Sequence, residues 1–204
     1  MKHRHVDSVT RMQGAHRRVS REGNFVVKRP FAWHSTPKTL REHGLRFRTW
    51  LRYGRTDVNA LEFETYLKHF SKVPSHLKDS FARVEKLEKE GGSDVLYMDF
   101  VRNADGTPAT GLGQHVRVRD SFFWKRFDDV VAWMSQHRVP LIDLKLGDFM
   151  VKELSNGHCV PVLVDYKTVH RSQNSLRVWL RLVSMATRRM QKRYAALKQE
   201  LQEL

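Results

Sequence analysis

Two short segments of the chain place acidic residues at the edges of apolar runs. The first reads Ile142-Asp143-Leu144-Lys145-Leu146-Gly147-Asp148-Phe149, and the second is the apolar run 160–164, which ends in Asp165. Phosphoryl transfer uses residues of these types. One carboxylate positions the attacking hydroxyl, other carboxylates hold Mg²⁺, and a lysine stabilises charge on the transferring phosphate. We therefore assign Asp143 and Lys145 as candidate catalytic residues, and Asp148 and Asp165 as candidate magnesium ligands.

The elements that position these segments are predicted from hydrophobic periodicity and turn residues. We expect a hairpin early in the chain, because two β-prone runs flank the turn Arg21-Glu22-Gly23-Asn24. The complete prediction comprises a weak strand at 12–15, strands at 15–20 and 25–28, a helix at 60–71, strands at 81–87 and 95–101, a helix at 121–137, strands at 149–151 and 160–165, and a long helix from 175 to the end.

The order of these features resembles the protein-kinase-like superfamily. Asp143-Leu144-Lys145-x-x-Asp148 resembles its catalytic loop, and Asp165-Tyr166-Lys167 resembles its metal-binding D-F-G motif. Phe25-Val26-Val27-Lys28 resembles the strand whose lysine holds the α- and β-phosphates of ATP. The resemblance implies an enzyme that uses ATP and Mg²⁺.

Four further residues receive roles from the same resemblance. Glu64, in the helix after Lys28, is expected to pair with that lysine. Gly14 is expected to belong to a reduced glycine-rich loop, and Met98 and Phe100 to lie beside the nucleotide, where the connection between the two lobes falls.

A narrower resemblance is to the YrbL family, the PhoP regulatory network proteins, a compact branch of the kinase-like fold related to bacterial lipopolysaccharide and small-molecule kinases. It is carried by the following segments: Glu64-Thr65-Tyr66-Leu67, Val73-Pro74, Leu96-Tyr97-Met98-Asp99-Phe100-Val101, Asp105-Gly106-Thr107-Pro108, Phe123-Trp124-Lys125-Arg126-Phe127, Asp143-Leu144-Lys145 and Val160-Pro161-Val162-Leu163-Val164-Asp165. The resemblance implies an α+β, protein-kinase-like two-lobe fold in a single domain. Residues 1–100 would form the N-lobe, and 101–204 a reduced helical C-lobe that holds the catalytic-loop-like segment 141–167 and ends in a long helix.

Several residues depart from the kinase pattern. Leu141-Ile142 stands where His-Arg is usual, Asp148 replaces the metal-binding asparagine, and Lys167 replaces the glycine of D-F-G. The glycine-rich loop shrinks to Gly14, with Arg17 and Arg18 as substitute phosphate contacts. These departures favour an alternative, a pseudokinase that binds and regulates without catalysis.

The charge of the chain is concentrated at its two ends. The 204 residues carry a net charge of +15. Residues 1–55 hold 14 Lys or Arg and three acids, and residues 166–199 hold nine Lys or Arg and no acid. Such flanks attract polyanions, so we expect an anionic acceptor such as a phosphorylated sugar or a lipid-linked saccharide at the inner membrane face. Nucleic acid is a less favoured partner, since no recognition motif is present, and a generic solubility surface is a further alternative.

The remaining composition predicts a cytoplasmic protein that could contact the membrane peripherally. Cys159 is the sole cysteine, and no apolar stretch reaches the roughly 18 residues that a membrane helix needs. The apolar stripe of the predicted C-terminal helix would pack on its own domain or pair with a second copy.

Each candidate residue also has an ordinary structural interpretation. Lys28 could be a solvated surface lysine, Glu64 a helix-surface acid, and Asp143 the cap of a turn. Their ordered occurrence along the chain favours the functional interpretation.

Overall fold

The computed structural model describes residues 12–13, 17–30, 58–112, 118–137 and 146–166, with residues 44, 47, 139, 192, 195–196 and 198–199. Two α-helices and eight strands lie in these ranges. They are β1 (Met12–Gln13), β2 (Arg17–Glu22), β3 (Phe25–Pro30), α1 (Val58–Thr65), β4 (Val84–Glu90), β5 (Ser93–Asp99), β6 (Thr110–Gly111), α2 (Ser121–Gln136), β7 (Phe149–Glu153) and β8 (Cys159–Leu163).

The first sheet is antiparallel, with the strand order β1-β2-β3-β5-β4. The predicted β2–β3 hairpin is confirmed, and Gly23 at its turn has φ 61°, a conformation that glycine adopts at little cost. Lys28 on the central strand β3 pairs with Val19 of β2 and Leu96 of β5. The hairpin therefore sets Lys28 in the middle of the sheet.

The helix predicted at 60–71 changes its winding partway along. It is α-helical over Val58–Thr65 and continues as a π-helical turn, Tyr66–Phe70. A π turn holds more residues than an α turn, so it shifts the helical phase. Phe70, at the end of the π turn, is buried, whereas Leu67 is 50% exposed.

The next hairpin, β4–β5, was predicted with its boundaries misplaced. β4 begins three residues later than expected and β5 two residues earlier, because Gly91 and Gly92 make the turn with φ values of 56° and 82°. Two consecutive residues with positive φ allow a two-residue hairpin turn that suits the twist of the strands. A 3₁₀ helix at Ser75–Ser80 was not predicted.

A second, three-stranded antiparallel sheet has the order β6-β7-β8. The predicted helix at 121–137 is confirmed as α2. Asp120 caps α2 by accepting a hydrogen bond from the Phe122 N–H at 2.8 Å, and it also accepts one from the Cys159 N–H of β8 at 2.8 Å. One carboxylate thus starts the helix and fixes it to the sheet.

One apolar core lies against both sheets. Buried side chains come from β5, from α2, from the π turn and from the second sheet: Leu96, Met98, Phe123, Phe127, Phe70, Phe149 and Leu163. The chain is therefore a mixed α and β protein with antiparallel sheets, as the predicted α+β class requires. The described residues contain no helix long and apolar enough to cross a membrane. The predicted long C-terminal helix falls almost entirely outside those residues.

Candidate functional site

Lys28 is a buried lysine that joins β3 to the segment carrying Asp165. Its side chain is 7% exposed, and its Nζ donates to the Glu62 Oε1 at 2.7 Å and to the Val164 carbonyl at 2.9 Å. Burial lowers the pKa of Lys28, and the Glu62 carboxylate opposes that effect. The interpretation of Lys28 as a solvated surface lysine is therefore wrong.

The acid that pairs with Lys28 is Glu62, and the predicted pairing with Glu64 is corrected. Glu62 is fully buried on α1, whereas Glu64 is exposed. Two residues along an α-helix are turned by about 200°, so these two glutamates cannot share a face. The buried face of α1 comprises Val58, Asn59, Leu61, Glu62 and Thr65.

Arg17 is a second buried cation at the same carboxylate. Its Nη1 donates to the Glu62 Oε2 and, at 2.9 Å, to the Asn59 Oδ1. Its Nη2 lies 3.6 Å from the Asp165 Oδ1. Arg17 at the start of β2 thus connects α1 with the segment that follows β8, while its neighbour Arg18 is exposed.

Asn59 holds α1 in register with the sheet. Its Nδ2 donates to the Lys28 carbonyl at 2.7 Å and to the Asp94 carbonyl at 2.8 Å. These bonds attach the helix to β3 and β5 close to the ion pair. They fix the backbone positions from which Lys28 and Glu62 meet, which keeps two charged side chains together in a buried site.

Asp165 is presented by a segment anchored on both sides. Before it, the Val164 carbonyl accepts from Lys28; after it, the Tyr166 N–H donates to the Glu62 Oε1 at 3.1 Å. Tyr166 is fully buried, with its ring 4.6 Å from Phe70, and its hydroxyl donates to the Ala82 carbonyl at 2.6 Å. The Asp165 side chain remains 20% exposed, so the anchors hold it at the edge of the buried cluster.

Asp148 lies beside the same segment. Its carbonyl accepts from the Val164 N–H at 2.9 Å, which places its backbone next to the residue before Asp165. Mg²⁺ in phosphoryl-transfer sites takes one or two carboxylates together with water and substrate phosphates. The described residues contain no group of three or more His, Cys, Asp or Glu positioned for a metal. A shared magnesium ion at Asp148 and Asp165 stays a prediction.

Met98 and Phe100 lie where β5 ends, next to the β2–β3 turn. The Met98 side chain is 2% exposed and belongs to the core. The Phe100 N–H donates to the Asn24 carbonyl at 2.9 Å, and the Arg21 guanidinium stands 4.4 Å from the centre of the Phe100 ring. A nucleotide contact by either residue stays a prediction.

Three predicted site residues, Gly14, Asp143 and Lys145, lie outside the described residues. Their roles stay predictions. The structure brings together Lys28, Asp148 and Asp165, and it adds Glu62 and Asn59. The spacing of Asn59 and Glu62 was a usable signal for these two site residues, since three residues apart on a helix places them on one face.

No protein-family model matches the chain, and no curated protein matches it. Chains of solved structures do match, among them one described as "PpkA-294 apo form". That structure is 14% identical, with a TM-score of 0.49, and the match covers 84% of this chain and 61% of the other. This chain therefore spans less than two thirds of that structure's length.

Proposed function

We propose that the chain is an ATP- and Mg²⁺-dependent phosphotransferase with a protein-kinase-like fold. One observation carries the proposal: a buried lysine, bonded to a helix glutamate at 2.7 Å, is also bonded to the carbonyl directly before Asp165. Buried charges are costly, and a chain that keeps them clustered beside a partly exposed carboxylate has the features of a functional site.

In this proposal Lys28 holds the phosphates of the nucleotide. An ammonium group has three N–H bonds, and among the described residues Glu62 and Val164 accept two of them. The third is available for a phosphate oxygen. Glu62 orients Lys28, and the Tyr166 N–H in turn orients Glu62.

Asp148 and Asp165 would hold Mg²⁺, which supplies charge neutralisation at the phosphates. Asp143 would position the acceptor hydroxyl, with Lys145 near the transferring group. The acceptor is proposed to be anionic, a phosphorylated sugar or lipid-linked saccharide, because basic residues are concentrated in 1–55 and 166–199. Peripheral contact with the inner membrane face would suit such an acceptor.

A second candidate is a nucleotide-binding regulatory module without turnover. It is favoured by the 3.6 Å approach of Arg17 to Asp165, because a cation there competes with a metal ion. The two functions share nucleotide binding and differ in phosphoryl transfer.

Calorimetric titration with ATP tests the proposal. We expect saturable binding in the presence of Mg²⁺ that is lost when EDTA is added. Asp165→Asn is expected to weaken binding by about tenfold or more, the equivalent of one charge-assisted bond. Asp79→Asn is the matched control, because that side chain is 70% exposed and pairs with Lys152.

Absence of ATP binding in the wild-type protein would overturn the proposal. Equal binding by the Asp165→Asn variant, with thermal unfolding unchanged, would remove Asp165 from the site. A hydrolysis or transfer assay on the protein that binds ATP then separates the enzyme from the regulatory module.

A further inference from the structure

The function of Arg17 is not explained by the proposed roles of Lys28 and Glu62. Lys28 by itself would be enough to neutralise the buried Glu62 carboxylate. Arg17 nevertheless pairs with the same carboxylate and is equally buried, with 7% of its side chain exposed. An arginine retains its charge under all ordinary conditions, so burying it beside an existing ion pair is costly unless its positive charge is used.

The two sides of the Arg17 guanidinium have different partners. Nη1 is held by the Asn59 and Glu62 side chains of α1, both of them buried. Nη2 lies toward Asp165, at 3.6 Å, which is within ion-pair range but longer than a good hydrogen bond. The planar fork of arginine allows one side to remain anchored while the other exchanges its partner.

Among the described residues, the four side chains joined by these ion pairs carry equal numbers of positive and negative charges. Arg17 and Lys28 contribute two positive charges, and Glu62 and Asp165 contribute two negative charges. A balanced cluster gives little attraction for a polyphosphate. A divalent cation at Asp165 would add positive charge, and it would also repel the Nη2 side of Arg17.

We propose, on the basis of the proposed function, that Arg17 is a cation-controlled phosphate-binding residue. Without a divalent cation, Arg17 neutralises Asp165. When the cation binds Asp165, the Nη2 side is released to a phosphate of the nucleotide, while Nη1 stays on α1. Divalent-cation binding and polyphosphate binding are therefore positively coupled through Arg17, and thermodynamic linkage requires the coupling to be reciprocal.

Arg17→Met is expected to have effects of opposite sign on two ligands. Mn²⁺ alone, a probe for the magnesium site that can be followed by electron paramagnetic resonance, should bind the variant several-fold more tightly, because its competitor at Asp165 is gone. ATP in saturating Mg²⁺, followed by calorimetry, should bind about tenfold more weakly, because one charge-assisted contact is lost. Unfolding or a general structural defect would weaken the binding of both Mn²⁺ and ATP. Opposite changes in the two affinities are therefore specific to the proposed role of Arg17.

Arg83→Met is the charge-matched control. Its side chain is 66% exposed and pairs with Glu85 outside the cluster, so both affinities should stay within about twofold of the wild type, as expected for an exposed pair. Arg17→Lys retains the charge without the fork. It should fold like the wild type and show a smaller preference for ATP over AMP, which gives a second measurement if Arg17→Met does not fold.

Three results would be decisive. If wild-type protein binds ATP and Arg17→Met changes neither affinity, or lowers both while remaining folded, this inference is wrong and the proposed function stands. An unchanged ATP-over-AMP preference in Arg17→Lys would also contradict the inference. If wild-type protein binds no ATP, the proposed function itself fails, and the inference fails with it.

Discussion

At the scale of residues, Glu62 is the glutamate that meets Lys28 and holds the buried cluster together. Glu62 accepts from three groups at once: the Lys28 ammonium, the Arg17 guanidinium and the Tyr166 N–H. Removing its charge leaves two buried cations with weaker partners. Breaking a buried ion pair in this way costs much more than losing an exposed one.

We therefore expect Glu62→Gln to lower the free energy of unfolding by about 3 kcal/mol. Glu64→Gln, two residues away on the exposed face, should change it by less than about 1 kcal/mol. Urea denaturation of the two variants beside the wild type measures both values. Equal losses in the two variants would show that the pairing with Glu62 is not what stabilises this region.

Which face of α1 is buried, and therefore whether Glu62 or Glu64 meets Lys28, could not be predicted from the sequence. The order of a lysine strand, a glutamate helix and a terminal aspartate was readable from the sequence, and the structure brings Lys28 and Asp165 into one cluster. The helical phase was not readable. Leu61, Glu64, Leu67 and Phe70 have helical spacing in the sequence, but the face of α1 that is buried carries Leu61 and Glu62 and leaves Glu64 exposed. Tertiary packing against the sheet selected the face that carries Glu62.

At the scale of elements, the fold is joined by single polar residues that serve two elements each. Asn59 connects α1 to β3 and β5, and Asp120 connects α2 to β8. Burial raises the pKa of Asp120, but the hydrogen bonds from the Cys159 and Phe122 N–H groups outweigh that effect, so the net pKa lies below its ordinary value of 3.8. A lowered carboxylate pKa means that the ionised form stabilises the folded chain.

Asp120→Ala should accordingly lower the free energy of unfolding at neutral pH by about 2 kcal/mol, because both an N-cap and an inter-element bond are lost.

The stabilisation by ionised Asp120 is present above the unfolded-state pKa and is lost as pH falls through the folded-state pKa. The gap between wild type and Asp120→Asn should therefore shrink as pH falls below 3.8. Denaturation curves across this pH range check the trend, and Asp129→Asn, exposed on the same helix, is the control. A gap independent of pH would contradict the role given to the carboxylate.

Helices and strands were predicted where the local sequence signals agree with one another, and were missed where contacts between distant parts of the chain decide which element forms. The β2–β3 hairpin and α2 have turn, cap and periodicity signals in their own sequences. β6 has only two residues, Thr110–Gly111, and it exists because β7 is there to pair with it. Arg17 was predicted as a phosphate contact together with Arg18, but its burial was not predicted, since its partner Glu62 lies 45 residues further along the chain.

At the scale of the whole molecule, the cluster is where distant parts of the chain meet. Lys28 lies on the first sheet, Glu62 on α1, and Val164 follows the last strand of the second sheet, 136 residues from Lys28. A ligand that binds Lys28 and Asp165 together would hold these parts against one another. Binding and stability are therefore linked, and a nucleotide that binds the folded form is expected to raise the thermal midpoint.

ATP affinity in saturating Mg²⁺, compared between wild type and Lys28→Met, shows whether the buried lysine holds nucleotide phosphates. Lys86→Met is the control, because Lys86 is 45% exposed on β4 and pairs with Glu88. We expect saturable binding by wild type and the control, and ATP affinity about tenfold or more weaker in Lys28→Met. Equal affinity in all three proteins, or no binding by the wild type, would contradict the claim that the buried lysine holds nucleotide phosphates.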